Sequence, residues 1–153
     1  MEAAVRRNLP MTLIRVIVGL MFVLEGALKF ARPEQLGAER FAAIGLPYPH
    51  LLAQLISGLE IGGGAALALN FYAGDAALGL LAIILTTLIS IKIPILLGRP
   101  LGPFTLEKLN EYGWVSFFHE ARTELCLFFV LLAILIHSGI RMGRRRRWYQ
   151  EGS

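Results

Sequence analysis

The chain has 153 residues, of which 56% are hydrophobic and 17% charged, with a formal net charge of +4. The length is typical of one domain, and a mean hydropathy of +0.61 excludes an ordinary soluble protein. The single cysteine, Cys126, excludes an intramolecular disulfide, a dithiol redox pair and a cysteine-based metal cage.

Four apolar stretches are long enough to cross a bilayer core of about 30 Å. They cover residues 9–31, 51–72, 76–97 and 117–140, and each is apolar nearly all round. The sequence therefore predicts an all-α integral membrane protein, a bundle of four transmembrane helices. The first stretch is too long for the apolar region of a signal peptide and lacks a cleavage site, so we expect it to be retained.

The connections differ in character. Pro33 and residues 45–47 predict a short surface helix that ends in a rigid turn before the second span. Pro94 predicts a kink near Ser90–Lys92. The third loop holds Tyr112 and Trp114, whose rings suit the membrane–water interface, so we predict an interfacial segment there.

Basic residues are concentrated in the two tails, where the sequence has seven: Arg6, Arg7, Arg141 and the run 144–147. Four spans put both tails on one side, and the positive-inside rule makes that side the cytoplasm. The tail 141–153 is typical of a segment that binds anionic lipid headgroups, and we expect no nucleic-acid partner.

Charged side chains lie inside the spans, although an isolated charge at the bilayer centre costs about 2.5–3.5 kcal/mol. Acids and bases nearly balance, so we expect them to pair inside the bundle. Glu25 and Lys29 are one turn apart and are predicted to form an ion pair. The candidate polar network or ligand site comprises Arg15, Glu25, Lys29, Glu60, Lys92, His119, Glu120, Arg122 and Glu124; we expect no metal site.

The octet HEARTELC at 119–126 opens the fourth span. One arc of its helical wheel carries His119, Glu120, Arg122, Thr123, Glu124 and Cys126. The opposite arc carries Ala121, Leu125 and Phe128. We expect the polar arc to face the bundle and close a polar network at its outer mouth, with Ala121 facing lipid.

Two glycines in the second span, Gly58 and Gly62, have the spacing at which membrane helices approach closely, and Gly63 and Gly64 extend this motif. The spacing favours packing within the bundle, with a homodimer as the alternative.

The combined pattern resembles the DoxX family of small four-helix bacterial membrane proteins. It is carried by R-x-x-x-G-L-x-F-x-x-x-G-x-x-K-F from Arg15 to Phe30, F-x-x-x-G-L-P-x-P from Phe41 to Pro49, and G-x-E-x-x-G-G from Gly58 to Gly64. The resemblance implies a bacterial inner membrane and association with redox complexes. It supplies no catalytic residues.

Three functions stay open at this point. The first is a subunit of a respiratory or sulfur/quinone redox complex, with a bound quinone and no cofactor held by the chain itself. The second is a non-catalytic assembly or stabilising subunit, and the third is a small-solute or proton-coupled transporter. The first would make the chain a quinone-binding subunit of an oxidoreductase at most, since no catalytic residue is evident.

Overall fold

The structure is a computed structural model that describes residues 2–33, 38–43, 45–104, 106 and 109–151, without the side chains of residues 2–8, 40 and 140–151. The basic side chains of both tails, on which the predicted orientation and the lipid binding of the tail 141–153 depend, therefore lie outside the described ones. The described chain forms helices α1 (Glu2–Ala31), α2 (Ala38–Ala43), α3 (Pro49–Ala68), α4 (Ala73–Thr87), α5 (Ile93–Leu97) and α6 (Trp114–Glu151), with a π-helical segment at Leu88–Lys92.

Four of these helical stretches are long and apolar enough to cross a membrane: Leu9–Ala31, Pro49–Ala68, Ala73–Leu97 and Trp114–Gly139. The predicted all-α fold with four spanning helices is confirmed. Helix α3 begins at Pro49 because the N–H that proline lacks would have no helical partner in the first turn. It ends at Ala68, and Asn70 and Tyr72 then take positive φ angles of 59° and 45° that turn the chain into α4.

The helices form a ring in which α1 packs on α3, α3 on α4 and α4 on α6, whereas α6 touches α1 only lightly. Glycines close the seam between α1 and α3. A Cβ on Gly26 would lie 2.6 Å from a carbonyl oxygen of α3, and one on Gly64 would lie 2.5 Å from the carbonyl oxygen of Gly19. The prediction of close packing at the glycines of α3 is right for Gly64. It is wrong for Gly58 and Gly62, because a Cβ on either meets nothing within 4 Å.

The two ends of the bundle differ. The long-loop end carries residues 32–48 and 98–113, and the short-loop end carries residues 69–72. An apolar core fills the short-loop half, with fully buried side chains that include Leu67, Leu131 and Ile134. The polar side chains of the interior are therefore concentrated in the other half.

The π-helical segment follows from Pro94. Because Pro94 has no N–H, the carbonyl of Ser90 loses its usual helical partner. The N–H of Ile93 instead reaches back five residues to the carbonyl of Leu88. Ser90 and Lys92 of this segment are both buried, so the irregular turn brings a charged side chain into the bundle.

Candidate functional site

An ion pair between Lys29 and Glu60 joins α1 to α3 inside the long-loop half. The ammonium of Lys29 donates to both carboxylate oxygens, at 2.5 Å to Oε1 and 2.7 Å to Oε2. The Glu60 side chain is 5% exposed and that of Lys29 is 18% exposed. Gly26 makes the contact possible, because its missing side chain lets α1 approach α3 one turn before Lys29.

Glu25 does not pair with Lys29, contrary to the prediction from their spacing. Among the described residues, no side chain forms an ion pair with Glu25. The carboxylate of Glu60 reaches Lys29 from a neighbouring helix with better geometry, and spacing along one helix contains no information about that competitor. Glu25 is exposed and borders two cavities.

A second cluster forms around Lys92, whose side chain is 3% exposed. Its ammonium lies 3.5 Å from Oε1 of Glu124 and 3.7 Å from Oε2 of Glu120. These glutamates are one turn apart on α6 and share the one ammonium. Nδ1 of His119 lies 3.3 Å from Oε1 of Glu120, and the His119 side chain is 66% exposed.

Arg15 lies apart from the other eight candidate residues. It is buried, and its guanidinium donates to the side-chain oxygen of Asn70 and, at 3.4 Å, to the hydroxyl of Thr12. Asn70 belongs to the short-loop turn, so this contact ties α1 to the end of α3. Arg15 thus serves the short-loop end, with the apolar core between it and the Lys92 cluster.

Helix α6 is rotated relative to the prediction. Ala121 is 0% exposed, so its assignment to the lipid face was wrong. The prediction chose the side of α6 that faces the bundle by polarity alone. In the structure, the small side chain of Ala121 lies on the packed side, where α6 meets its neighbours. Glu120 and Glu124 do reach the interior, while Arg122 and Cys126 are exposed on the flank.

These charged groups surround a cavity of about 340 Å³, here called the polar cavity. Eight ionisable side chains line it: Glu25, Lys29, Glu60, Lys92, His119, Glu120, Arg122 and Glu124. With His119 neutral, four carboxylates face three cations. The cavity therefore offers both donors and acceptors to a polar guest.

A second cavity of about 370 Å³, the apolar cavity, adjoins it between α3 and α4. Its wall is mainly apolar and includes Phe41, Leu46, Ile56, Leu59, Gly79, Ala82 and Ile91. Five residues border both cavities: Glu25, Lys29, Ile83, Thr87 and Glu124. The two spaces therefore meet inside the bundle, with polar groups at the junction.

The hydroxyl side chains near this junction were not among the predicted site residues. Thr86, Thr87 and Ser90 border the apolar cavity, and Thr86 and Ser90 are one turn apart in the third span. Each hydroxyl donates to the carbonyl four residues before it, at 2.9, 3.1 and 2.7 Å respectively. Their helical spacing was the available signal, since such residues in a spanning helix mark a polar face.

The sequence profile of the DoxX family matches residues 11–93, more than half of the chain. The chain belongs to the DoxX family. The resemblance seen in the sequence is thereby confirmed. An uncharacterized membrane protein of Mycobacterium tuberculosis is 34% identical to this DoxX protein over 122 residues, which cover 80% of the chain and 71% of the relative. The comparison with solved structures gives no match. The segment matched by the profile contains Lys29, Glu60 and Lys92, whereas Glu120 and Glu124 follow it.

Proposed function

We propose that this DoxX protein binds a quinone and is the membrane subunit of a respiratory or sulfur redox complex. The observation that supports this most directly is the junction of a polar and an apolar cavity inside spanning helices. A quinone joins a ring with two carbonyl groups to a long apolar chain, so it requires both environments side by side. Each cavity lies in the range of about 300–1,000 Å³ that is usual for ligand sites.

The polar cavity suits the ring. Lys92, His119 and Arg122 border it and can supply N–H donors to carbonyl oxygens. Glu25, without an ion-pair partner among the described side chains, is an acceptor for the hydroxyl of a reduced ring. A site that holds both donors and acceptors can bind both redox states of the ring.

The apolar cavity suits the chain of the quinone. Ile56 and Leu59 of α3 face Gly79 and Ala82 of α4 across it. Leu59 is 61% exposed, so this wall borders the surface that lipid covers. A quinone would enter from the bilayer between α3 and α4 and leave its chain there.

The redox partner and the orientation in the membrane are also part of the proposed function. One cysteine provides no dithiol, so electrons would come from a partner subunit. The basic tails would lie in the cytoplasm of a bacterial cell, which would put both cavities in the half of the plasma membrane that faces away from it. Gly58 and Gly62 leave an open strip on α3 where a second copy could pack as a homodimer.

The test is to purify the protein in mild detergent, quantify bound quinone in an organic extract and titrate a short-chain quinone analogue. Gly79→Leu should weaken analogue binding at least about tenfold, or about 1.4 kcal/mol, because the new side chain enters the apolar cavity. A Cβ on Gly79 meets nothing within 4 Å, so the helix itself should fold. Gly139→Leu is the matched control, because Gly139 is equally open and borders neither cavity.

A wild-type protein that retains no quinone, binds no analogue and brings down no redox partner would refute the proposal. Equal affinity in the two leucine variants would refute the placement of the chain in the apolar cavity.

A second candidate is an assembly or stabilising subunit. Glu60 and Lys92 are both held in ion pairs. Ion pairs of this kind can fix the order of the helices without binding any ligand. In that case Glu60→Gln would lower thermal stability without changing the turnover of a partner enzyme. Solute transport is less well supported, because the apolar core fills the short-loop half.

A further inference from the structure

A third cavity, the side cavity, lies in the crevice bounded by α1, α2 and α3. It has a volume of about 130 Å³ and is lined by Lys29, Phe30, Pro33, Ala38, His50, Ala53, Gln54 and Ser57. The polar and apolar cavities, by contrast, are both bordered by α4 and α6. Lys29 borders all three spaces, so the ion pair of Lys29 and Glu60 stands between the side cavity and the proposed quinone site.

The side cavity has the size and chemistry of a hydrated space. At about 30 Å³ per molecule, it holds about four waters. His50 and Gln54 are exposed in the first turns of α3, at the long-loop end, and place polar groups at its mouth. Ser57, whose hydroxyl donates to the carbonyl of Ala53 at 2.7 Å, keeps lone pairs for further hydrogen bonds.

Lys29 can bond with this water while it holds Glu60. An ammonium has three N–H donors, and the carboxylate oxygens of Glu60 accept two of them. A third donor is left for water in a bordering cavity. Proton exchange can then proceed along a hydrogen-bonded chain without breaking the ion pair.

The route is closed towards the short-loop end. Gly26 brings α1 against the backbone of α3, and Gly19 meets Gly64 two turns further on. Phe22, which lies between these contacts on α1, is 2% exposed. Water in the side cavity therefore communicates with one side of the membrane only.

We propose that the side cavity is a water-filled chamber that carries protons between the long-loop side of the membrane and the ion pair of Lys29 and Glu60. It serves as a route separate from the mouth through which a ligand reaches the polar cavity. The other titratable groups that border the cavities beside this pair are Glu25 from α1, His50 from α3, Lys92 from the π-helical segment, and His119, Glu120, Arg122 and Glu124 from α6.

In one respect the inference rests on the proposed function. Reduction of a quinone to a hydroquinone adds two electrons and two protons, with the electrons supplied by the redox partner of the complex. A ring that fills the polar cavity excludes water from it, so the protons for the ring oxygens need a second path. The side cavity supplies that path.

Thiol accessibility tests the route. In a Cys126→Ser background reconstituted into liposomes, single cysteines are placed by Ser57→Cys in the side cavity, Thr87→Cys at the junction of the other two cavities, and Ala77→Cys in the apolar core. Silver ion, a thiol reagent of ionic size, is applied to one side in chloride-free buffer. The unmodified thiol is then counted by maleimide labelling after denaturation. Gln54→Cys at the exposed mouth reports the side on which the cavity opens.

Ser57→Cys should react from the same side as Gln54→Cys, at a rate that a saturating quinone analogue does not change. Thr87→Cys should react at least about tenfold more slowly with the analogue bound, and Ala77→Cys should stay unmodified. If Ser57→Cys stays unmodified like Ala77→Cys, or is protected by the analogue as strongly as Thr87→Cys, the chamber or its separateness is refuted. If instead the analogue leaves Thr87→Cys unchanged, quinone binding fails while the chamber stands on the Ser57→Cys result.

Discussion

Replacement of Lys29 by methionine leaves the Glu60 carboxylate in the interior without its cation. Removing one partner of a buried ion pair costs about 3–5 kcal/mol. Glu60 has an alternative, because it can take up a proton, and neutralising an ordinary glutamate at pH 7 costs about 4 kcal/mol. Because Glu60 is only 5% exposed, it would take up a proton rather than stay charged without Lys29. The cost of protonation, about 4 kcal/mol, is therefore the upper limit of the loss in stability. We expect Lys29→Met to lower the free energy of unfolding by about 3–4 kcal/mol at pH 7.

The loss of stability caused by Lys29→Met should also depend on pH. Each unit by which the pH falls makes protonation of a carboxyl about 1.4 kcal/mol cheaper, so the deficit of Lys29→Met should shrink to about 1 kcal/mol near pH 5. The double variant Lys29→Met/Glu60→Gln should recover most of the loss at pH 7, because no buried charge remains. Equilibrium unfolding of all four proteins of the cycle in mixed micelles measures these values. A loss below about 1 kcal/mol at pH 7, or one that does not change with pH, would refute the view that the ion pair holds Glu60 in the interior.

Three further perturbations test the geometry. Gly26→Leu should lower the free energy of unfolding by at least about 2 kcal/mol, because the new Cβ meets a backbone carbonyl, whereas Gly58→Leu should be tolerated; equal effects in thermal unfolding would contradict the assignment of the α1–α3 seam. Lys92→Met should cost about 1–3 kcal/mol, less than for a fully buried pair because its two glutamates are 34% and 21% exposed; circular dichroism melting measures it, and an unchanged midpoint would count against the cluster. Gly98→Ala should cost about 1 kcal/mol from its φ of +62° alone, since the added Cβ would make only an ordinary 3.5 Å contact; a neutral result in the same assay would show that the turn relaxes.

The number of spanning helices could be predicted because the bilayer imposes a length of apolar chain that four segments meet. The start of the second span was placed two residues late, at residue 51, because Pro49 was read as part of the turn, whereas it occupies the first turn of α3. Its end was also placed too late, because the apolar run continues to Tyr72 while the backbone leaves the helix after Ala68. Hydropathy measures how well each side chain is accommodated in lipid. It contains no information about the backbone, so it does not reveal the positive φ angles of the turn.

The facing of each helix was less predictable. A soluble helix reveals its buried side by polarity, but a spanning helix is apolar on both its lipid side and its packed side. Gly26 against α3 and Gly58 in the open therefore look alike in the sequence. The orientation of α1 decides that Lys29 meets Glu60 rather than Glu25, so the error in pairing followed from the missing orientation.

The cavities could not be read from the sequence at all, because a cavity is space that side chains from several helices leave unfilled. Its polarity was partly foreseeable: eight of the nine candidate residues border the polar cavity. Arg15 is the exception, because its partner Asn70 was placed within the predicted second span and lies instead in the turn after α3.

The ion pair between α1 and α3 also constrains how the protein is made. The second span contains no cation for Glu60, so released singly into lipid it would carry an isolated charge that costs about 2.5–3.5 kcal/mol. Delivered together as a helical hairpin, the two spans neutralise each other on entry. We therefore expect α1 to wait at the translocation machinery until the ribosome has supplied residues to Ala68, which makes the first two spans a single unit of biosynthesis.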